Sequence, residues 1–168
     1  AKIKQIKITG NTQYSDKKLT KDFATALPKW YMFWSDSGVY SSPILAGDID
    51  ALKSFYQNKG FMDFTIESTQ VALSKSKEEV YITININEGK QYVISKINVA
   101  GKLIVPIEDI ADMIVITTGE HLSREKIIQS SDRIKNRLSI EGYAFARINP
   151  VPEKQEGTNK VEINFYID

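Results

Sequence analysis

The sequence predicts an α+β fold made of two tandem β-α-α-β-β units. Apolar and polar residues alternate strictly at 79–87, a period of two that is typical of a half-buried strand, and the segment at 161–167 matches it. Before each of these segments come a strand pattern, two stretches with helical spacing of apolar residues, and a second strand pattern. One architecture is therefore present twice in the chain.

The first unit opens with a strand at residues 2–9 and a turn at Gly10. Apolar residues then recur at every fourth position, which predicts a helix that Pro28 ends. Its cap and apolar stripe are Ser15, Leu19, Phe23 and Leu27. The second helix is expected to begin at Pro43, after a serine cap, and to end at Gly60. Its expected buried residues are Leu45, Ile49, Leu52 and Tyr56.

The second unit repeats the first. Gly101 ends a strand 91 residues after Gly10 (101 − 10), and the alternating strand at Val161 follows the one at Val80 by 81 residues (161 − 80). Such an internal repeat is stronger evidence than any single motif. The other matched positions are Ile97 with Ile6, Val99 with Ile8, Ile127 with Leu45, Ile134 with Leu52, and Gly142-Tyr143 with Gly60-Phe61.

We therefore expect two domains, at 1–88 and 89–168. The first domain is longer than the second, and its extra residues fall in a loop at 29–42 that is rich in aromatic side chains. These aromatic residues are Trp30, Tyr31, Phe33 and Trp34. They either cover the sheet or the helix ends, or form a second exposed patch for a partner, because aromatic side chains anchor interfaces.

Connection sterics predict the strand order of each three-stranded mixed sheet, which two helices cover. The strand, the two helices and the second strand form a crossover, and the third strand returns as a hairpin. Strict alternation suits the central position, so the order is first-third-second and the second strand is an outer edge. In the second unit this edge contains Pro150 and Pro152, which lack the N–H that strand pairing needs. The edge of the first unit, residues 61–73, has no proline and remains open to accept another strand.

The open edge strand contains a break in its side-chain pattern. Phe64 and Ile66 share one parity, whereas Val71 and Leu73 share the other. Because side chains alternate with a period of two, one extra residue, a β-bulge, is expected near residues 68–70. We expect Val71 and Leu73 to point outward, where they would contact a partner. The alternative is that they pack against a neighbouring loop of the same chain.

Composition excludes several classes of site. The chain has 22 basic and 21 acidic residues and a formal charge of +1, which argues against a general nucleic-acid binder. With no cysteine, a disulfide, a thiolate zinc site and a cysteine nucleophile are all impossible. A single-strand-binding α/β module that uses Asn58-Lys59-Gly60 stays as an alternative of a different class.

No catalytic constellation is evident. His121 is the only histidine, and no positioned nucleophile and acid accompany it. Three acidic pairs are interpreted as solvated surface rather than as metal or acid–base sites. They are Asp48 with Asp50, Glu78 with Glu79, and Glu108 with Asp109. We therefore expect no catalytic, cofactor-binding or metal-binding residues and no enzymatic activity.

Several segments resemble POTRA domains, namely the IKITGN start, the LAGDIDALKSFYQNKGF helix and the VYITININEGKQY junction. The whole chain is most similar to the third and fourth POTRA domains of the BamA family of outer-membrane protein assembly factors. This resemblance implies a Gram-negative periplasmic location and a role in folding and membrane insertion. It also implies neighbouring POTRA domains and a membrane β-barrel in the full-length chain, so that this sequence would be a fragment.

The resemblance implies partners as well. In the family, the bulged second strand of the third domain contacts a BamB-type lipoprotein and, by strand addition, unfolded outer-membrane protein clients. By position, Glu67, Val71 and Leu73 would make these contacts. The full candidate partner-binding stretch is Glu67, Ser68, Thr69, Gln70, Val71, Ala72 and Leu73. A POTRA pair of a two-partner secretion or translocation transporter remains the closest alternative.

Overall fold

The computed structural model of the chain describes residues 2–24 and 43–168. The elements are β1 (Lys2–Thr9), α1 (Asp16–Thr20), α2 (Pro43–Gln57), β2 (Thr65–Leu73), β3 (Glu79–Asn87), β4 (Val93–Gly101), α3 (Ile107–Ala111), α4 (Arg124–Ile140), β5 (Ile148–Lys154) and β6 (Lys160–Ile167). They form two three-stranded sheets of order β1-β3-β2 and β4-β6-β5, which confirms the predicted α+β class and strand order. In each sheet the first strand is parallel to the central strand and the second is antiparallel to it.

The first helix is shorter than its apolar stripe predicts. α1 ends at Thr20, and Phe23 is buried after a turn rather than on a helical face. The N–H of Ala24 donates to the carboxylate of Asp48 on α2 (2.9 Å), so this amide is not available to a longer helix. Asp48 is consequently buried, and its interpretation as solvated surface was wrong. Leu27 lies outside the described residues.

The chain divides into two compact units. Unit 1 contains residues 1–56 and 63–89, and unit 2 contains residues 57–62 and 90–168. In unit 1 the buried face of the central strand, here called the core face, consists of Val80, Ile82, Ile84 and Ile86. The matching core face in unit 2 consists of Val161, Ile163, Phe165 and Ile167, and Ile127, Ile134 and Leu138 of α4 belong to the same buried cluster. The domain boundary between residues 88 and 89 stays a prediction.

Gly10 and Gly101 end the first strand of each unit with the same backbone conformation. Their φ angles are +92° and +107°, in the region that favours glycine. A Cβ added to either residue would lie 2.1 Å from the carbonyl oxygen of Ile86 or Ile167, respectively. The repeat found in the sequence is therefore also a repeat of one close backbone approach.

Candidate partner-binding edge

β2 is the outer strand of the unit 1 sheet. It pairs with β3 on one side, and no other strand in the described part of the chain pairs with its second side. The strand contains no proline. It begins at Thr65, so residues 61–64, which we expected at its start, form a turn that precedes it. The open edge is therefore Thr65–Leu73.

The predicted bulge is present, one residue earlier than expected. Ser68 pairs with Asn85, whereas Ile66 pairs with the residue that follows Asn85 in β3, so Glu67 is the extra residue. The side-chain amide of Asn85 donates to the Ser68 hydroxyl (2.6 Å), and its oxygen accepts a hydrogen bond from the Thr9 hydroxyl. These two bonds connect all three strands at this level. The bond to Ser68 lies directly beside the unpaired residue.

The expectation that Val71 and Leu73 point outward is wrong. They lie opposite Ile82 and Val80 in the ladder, and residues directly opposite each other share a face of the sheet. Because Ile82 and Val80 are fully buried, Val71 and Leu73 are on the core face, where each is half-buried. The side chains exposed on the opposite face are Ser68, Gln70 and Ala72.

The backbone N–H and C=O groups that face the open side of β2 come from residues whose side chains lie on the core face. The Ser74 N–H donates to the Glu79 carbonyl (2.9 Å), so these two residues form a hydrogen-bonded pair. In an antiparallel ladder such pairs alternate with pairs whose backbone groups point away from each other. Thr69, Val71 and Leu73 therefore direct their N–H and C=O groups away from β3, toward the open side.

The outer edge of unit 2 differs in its chemistry. Arg147 and Asp168 exchange both backbone hydrogen bonds (2.9 and 3.0 Å), so the alternation places Pro150 and Pro152 at positions whose backbone groups point outward. Proline has no N–H to offer there. The β5–β6 ladder also has no register shift, so this edge is unbulged.

The two prolines occupy the places of Thr69 and Val71. The residues opposite Pro150 and Pro152 in β6 are 81 positions beyond those opposite Thr69 and Val71 in β3 (165 − 84 and 163 − 82). The outer edge of β5 thus lacks donors at the two positions where β2 presents them. The contrast between the two edges that the sequence predicted is present in the structure.

A second buried carboxylate in unit 1, besides Asp48, was not anticipated from the sequence. Glu88, directly after β3, accepts hydrogen bonds from the Thr12 N–H (2.9 Å) and hydroxyl (2.6 Å), the Gln13 N–H (3.3 Å) and the Tyr56 hydroxyl (2.9 Å). Burial by itself would raise the pKa of Glu88, but these donors outweigh burial and hold that pKa below its ordinary value. Burial, followed by the bond to Glu88, raises the pKa of Tyr56. No local pattern around Glu88 distinguishes it from an exposed turn residue.

Trp30, Tyr31, Phe33 and Trp34 lie outside the described residues, so a second aromatic patch stays a prediction. Across residues 2–24 and 43–168, no cluster of three or more histidine, aspartate or glutamate side chains is arranged to hold a metal ion. None of the helices within those same ranges has the length and apolar content to cross a membrane. His121 is exposed, and its backbone forms an isolated bridge with Val93.

The POTRA family model, described as surface antigen variable number repeat, matches residues 1–89 and 92–168. The chain belongs to the POTRA family. This match confirms the resemblance that the sequence segments indicated, and it places one family domain on each copy of the internal repeat.

Individual relatives extend over the whole pair of POTRA domains. The outer membrane protein assembly factor BamA of Neisseria meningitidis serogroup B is 27% identical over 169 residues, which are 100% of this chain and 21% of that protein. BamA of Buchnera aphidicola is 31% identical over 99% of this chain and 27% of that protein. The chain therefore spans about a quarter of the length of these relatives.

A solved structure agrees with the fold of the POTRA domains. The crystal structure of Haemophilus influenzae BamA POTRA3-5 matches with a TM-score of 0.86 at 24% identity, covering 100% of this chain and 66% of that chain. At this identity the likeness shows the fold, including the two mixed sheets and their helices.

Proposed function

We propose that this POTRA pair is a periplasmic, non-enzymatic interaction scaffold of the machinery that assembles outer-membrane proteins. The names of the relatives support the proposal, since both curated proteins described above are outer membrane protein assembly factors. The edge chemistry of unit 1 supports it independently, because an open strand edge is a surface for binding other polypeptides.

The partner-binding surface in this proposal is the edge of β2, which adds a strand from a BamB-type lipoprotein or from an unfolded outer-membrane protein. The observation that carries it is the outward backbone of Thr69, Val71 and Leu73 on an edge without proline. Side chains of the added strand that lie opposite Val71 and Leu73 would share the core face. The side chains between them would lie beside Gln70 and Ala72, so a strand of alternating apolar and polar residues fits best.

Binding of this kind is weak, which suits the transfer of clients. Each backbone hydrogen bond contributes a net stabilisation of about 0.5–1.5 kcal/mol. Ordering each residue of an incoming strand costs about 1–2 kcal/mol. Because these two contributions nearly cancel, apolar contact with the half-buried Val71 and Leu73 decides how long a strand stays bound. The backbone contribution is indifferent to sequence, so many different clients are accepted.

The decisive variant gives β2 of unit 1 the two prolines that occupy the matching positions of β5 in unit 2. Thr69→Pro with Val71→Pro removes the two outward donors, and it leaves the β2–β3 ladder intact because those N–H groups do not bond to β3. Amide NMR spectra are recorded during titration with a strand-forming outer-membrane peptide and, separately, with the lipoprotein. We expect shifts centred on residues 67–73 in the native chain and none in the variant, while the β3 amides keep their positions.

Two further variants control for side-chain effects. Thr69→Val with Val71→Thr retains both donors and should still bind. Pro150→Thr with Pro152→Val restores donors to β5 and should produce new peptide-dependent shifts there. If the double-proline variant binds both ligands as the native chain does, the edge proposal is wrong. Shifts with the peptide alone would retain the client site and remove the lipoprotein from the proposal.

A further inference from the structure

The outward backbone groups of β2 make this strand complementary to itself. Thr69, Val71 and Leu73 direct their N–H and C=O groups to the open side, and antiparallel strands form hydrogen-bonded pairs where such groups meet. If β2 lies against β2 of a second copy with Val71 opposite Val71, then Thr69 lies opposite Leu73 on both sides of that pair. Every outward residue of each copy then has a partner. A shift of the two strands by two residues in either direction loses one of these pairs, so the geometry selects a single register.

The side chains that this register brings together are compatible on both faces of the sheet. On the core face, the half-buried Val71 meets Val71 of the second copy, and Thr69 meets Leu73. On the opposite face, Gln70 meets Ala72. The two-fold axis is perpendicular to the sheet, so both core faces lie on the same side. The two sheets then continue into one another, with the order β1-β3-β2-β2-β3-β1.

Two charges at opposite ends of the edge favour a second copy as the partner. Glu67 precedes the outward residues by two positions, and Lys75 follows them by two. Both side chains are exposed, and neither forms an ion pair within residues 2–24 and 43–168. Antiparallel pairing reverses the ends, so Glu67 of each copy lies beside Lys75 of the other. Opposite charges therefore meet twice, once on each side of the two-fold axis.

We propose that β2 pairs antiparallel with β2 of a second copy of this chain, with Val71 at the two-fold axis and Glu67 beside Lys75. This inference rests on the open edge of the proposed function, but it concerns a different partner. An exposed edge strand is a template for other strands, and self-pairing covers it while no client is bound. A second copy and a client strand compete for the same backbone groups, so binding of a client separates the two copies.

The contact is small, and the dimer should therefore be weak. Few backbone hydrogen bonds and a short apolar contact around Val71 suit a transient dimer with a dissociation constant of about 0.1–1 mM. Light scattering and sedimentation of the 168-residue chain at several concentrations measure this constant. Thr69→Pro with Val71→Pro should leave the chain monomeric, because it removes outward donors from both copies. A native chain that stays monomeric at about 1 mM would overturn the proposal.

Charge exchange separates this pairing from other kinds of self-association. Lys75→Glu places like charges together at both ends of the dimer, so we expect the dissociation constant to rise at least roughly tenfold. Glu67→Lys should weaken the dimer in the same way. An equimolar mixture of the two variants should regain the dissociation constant of the native chain, because each copy then meets the opposite charge at both ends.

Lys17→Glu is the matched control, since it makes the same change in net charge at another exposed lysine. Lys17 is on α1, which bonds to β1 at the other side of the sheet through Asp16. The dissociation constant of this control should equal that of the native chain. If Lys17→Glu weakens the dimer as much as Lys75→Glu does, or if the mixture of Lys75→Glu and Glu67→Lys stays monomeric, the proposal is wrong.

One of these variants also keeps self-pairing distinct from client binding. Lys75 lies outside residues 67–73, so Lys75→Glu should still show peptide-dependent amide shifts in that stretch. Peptide-dependent shifts in a native chain that never associates would overturn self-pairing and retain the client site. Association of the native chain without any peptide-dependent shift would retain self-pairing and overturn the client site.

Discussion

Replacing Gly101 by alanine should severely destabilise unit 2, and Gly10→Ala should do the same to unit 1. Both glycines have a positive φ, +107° and +92°, and both lie directly against a carbonyl group of the central strand. The added methyl group would be 2.1 Å from the carbonyl oxygen of Ile167 or Ile86. Neither neighbour can rotate away, because each contact is with backbone.

The size of the effect follows from two contributions. A residue with a Cβ in the left-handed region costs about 1–2 kcal/mol more than glycine. Reaching the shortest contact that real Cβ atoms show, 3.0 Å, requires a movement of about 0.9 Å (3.0 − 2.1). In unit 2 that movement disrupts the bond from the Lys102 N–H to the Ile167 carbonyl (3.0 Å), at a cost of about 1–3 kcal/mol. Together they amount to about 2–5 kcal/mol, which lowers Tm by at least roughly 10 °C for a domain of this size.

Other glycines separate the two contributions. Gly142→Ala has a similar φ of +96° but no atom within 4 Å, so it should show the conformational cost alone. Gly47→Ala, inside α2 and with open space around it, should stabilise unit 1 by about 0.5–1 kcal/mol. Urea unfolding followed by circular dichroism measures all four variants. If Gly101→Ala costs no more than Gly142→Ala, the close backbone approach is not what requires glycine at this position.

Other predictions concern buried polar groups. Since the folded pKa of Glu88 is held below its unfolded value, its contribution to unit 1 is present above the unfolded pKa and is lost as pH falls through the folded pKa. Urea midpoints should therefore decline on acidification, and Glu88→Gln should make that decline shallower; an unchanged slope would contradict this role. In unit 2, Ser130→Ala should cost about 1–3 kcal/mol in thermal unfolding, because the Ser130 hydroxyl accepts a hydrogen bond from the Val115 N–H (2.9 Å). Ser131→Ala should be neutral or stabilising, since the Ser131 hydroxyl is buried without a hydrogen-bond partner, and equal losses for both serines would refute the argument.

Most elements could be predicted because their signals are local. The alternation at 79–87 and 161–167 corresponds to β3 and β6, and Pro43 begins α2 as expected. The predicted length of the first helix was wrong for a reason that is not local. The Ala24 amide bonds to Asp48, and nothing in the apolar stripe around Phe23 reports that contact.

The candidate edge was predictable in part. The change of parity between Ile66 and Val71 indicated an extra residue, and the structure has one at Glu67. Parity alone could not say which face is buried, because that depends on the partner strand. Once β2 is in register with β3, Val71 and Leu73 lie on the core face, and it is their backbone groups that point outward.

The amino-acid sequence by itself determined the repeat, the order of the strands and the difference between the two edges. These depend on local periodicity and on the N–H that Pro150 and Pro152 lack. Only the tertiary structure decided that Glu67 is the unpaired residue, that Glu88 is buried under four hydrogen bonds, and that residues 57–62 belong to unit 2. Each of these depends on contacts between residues distant in the chain, which no local pattern encodes.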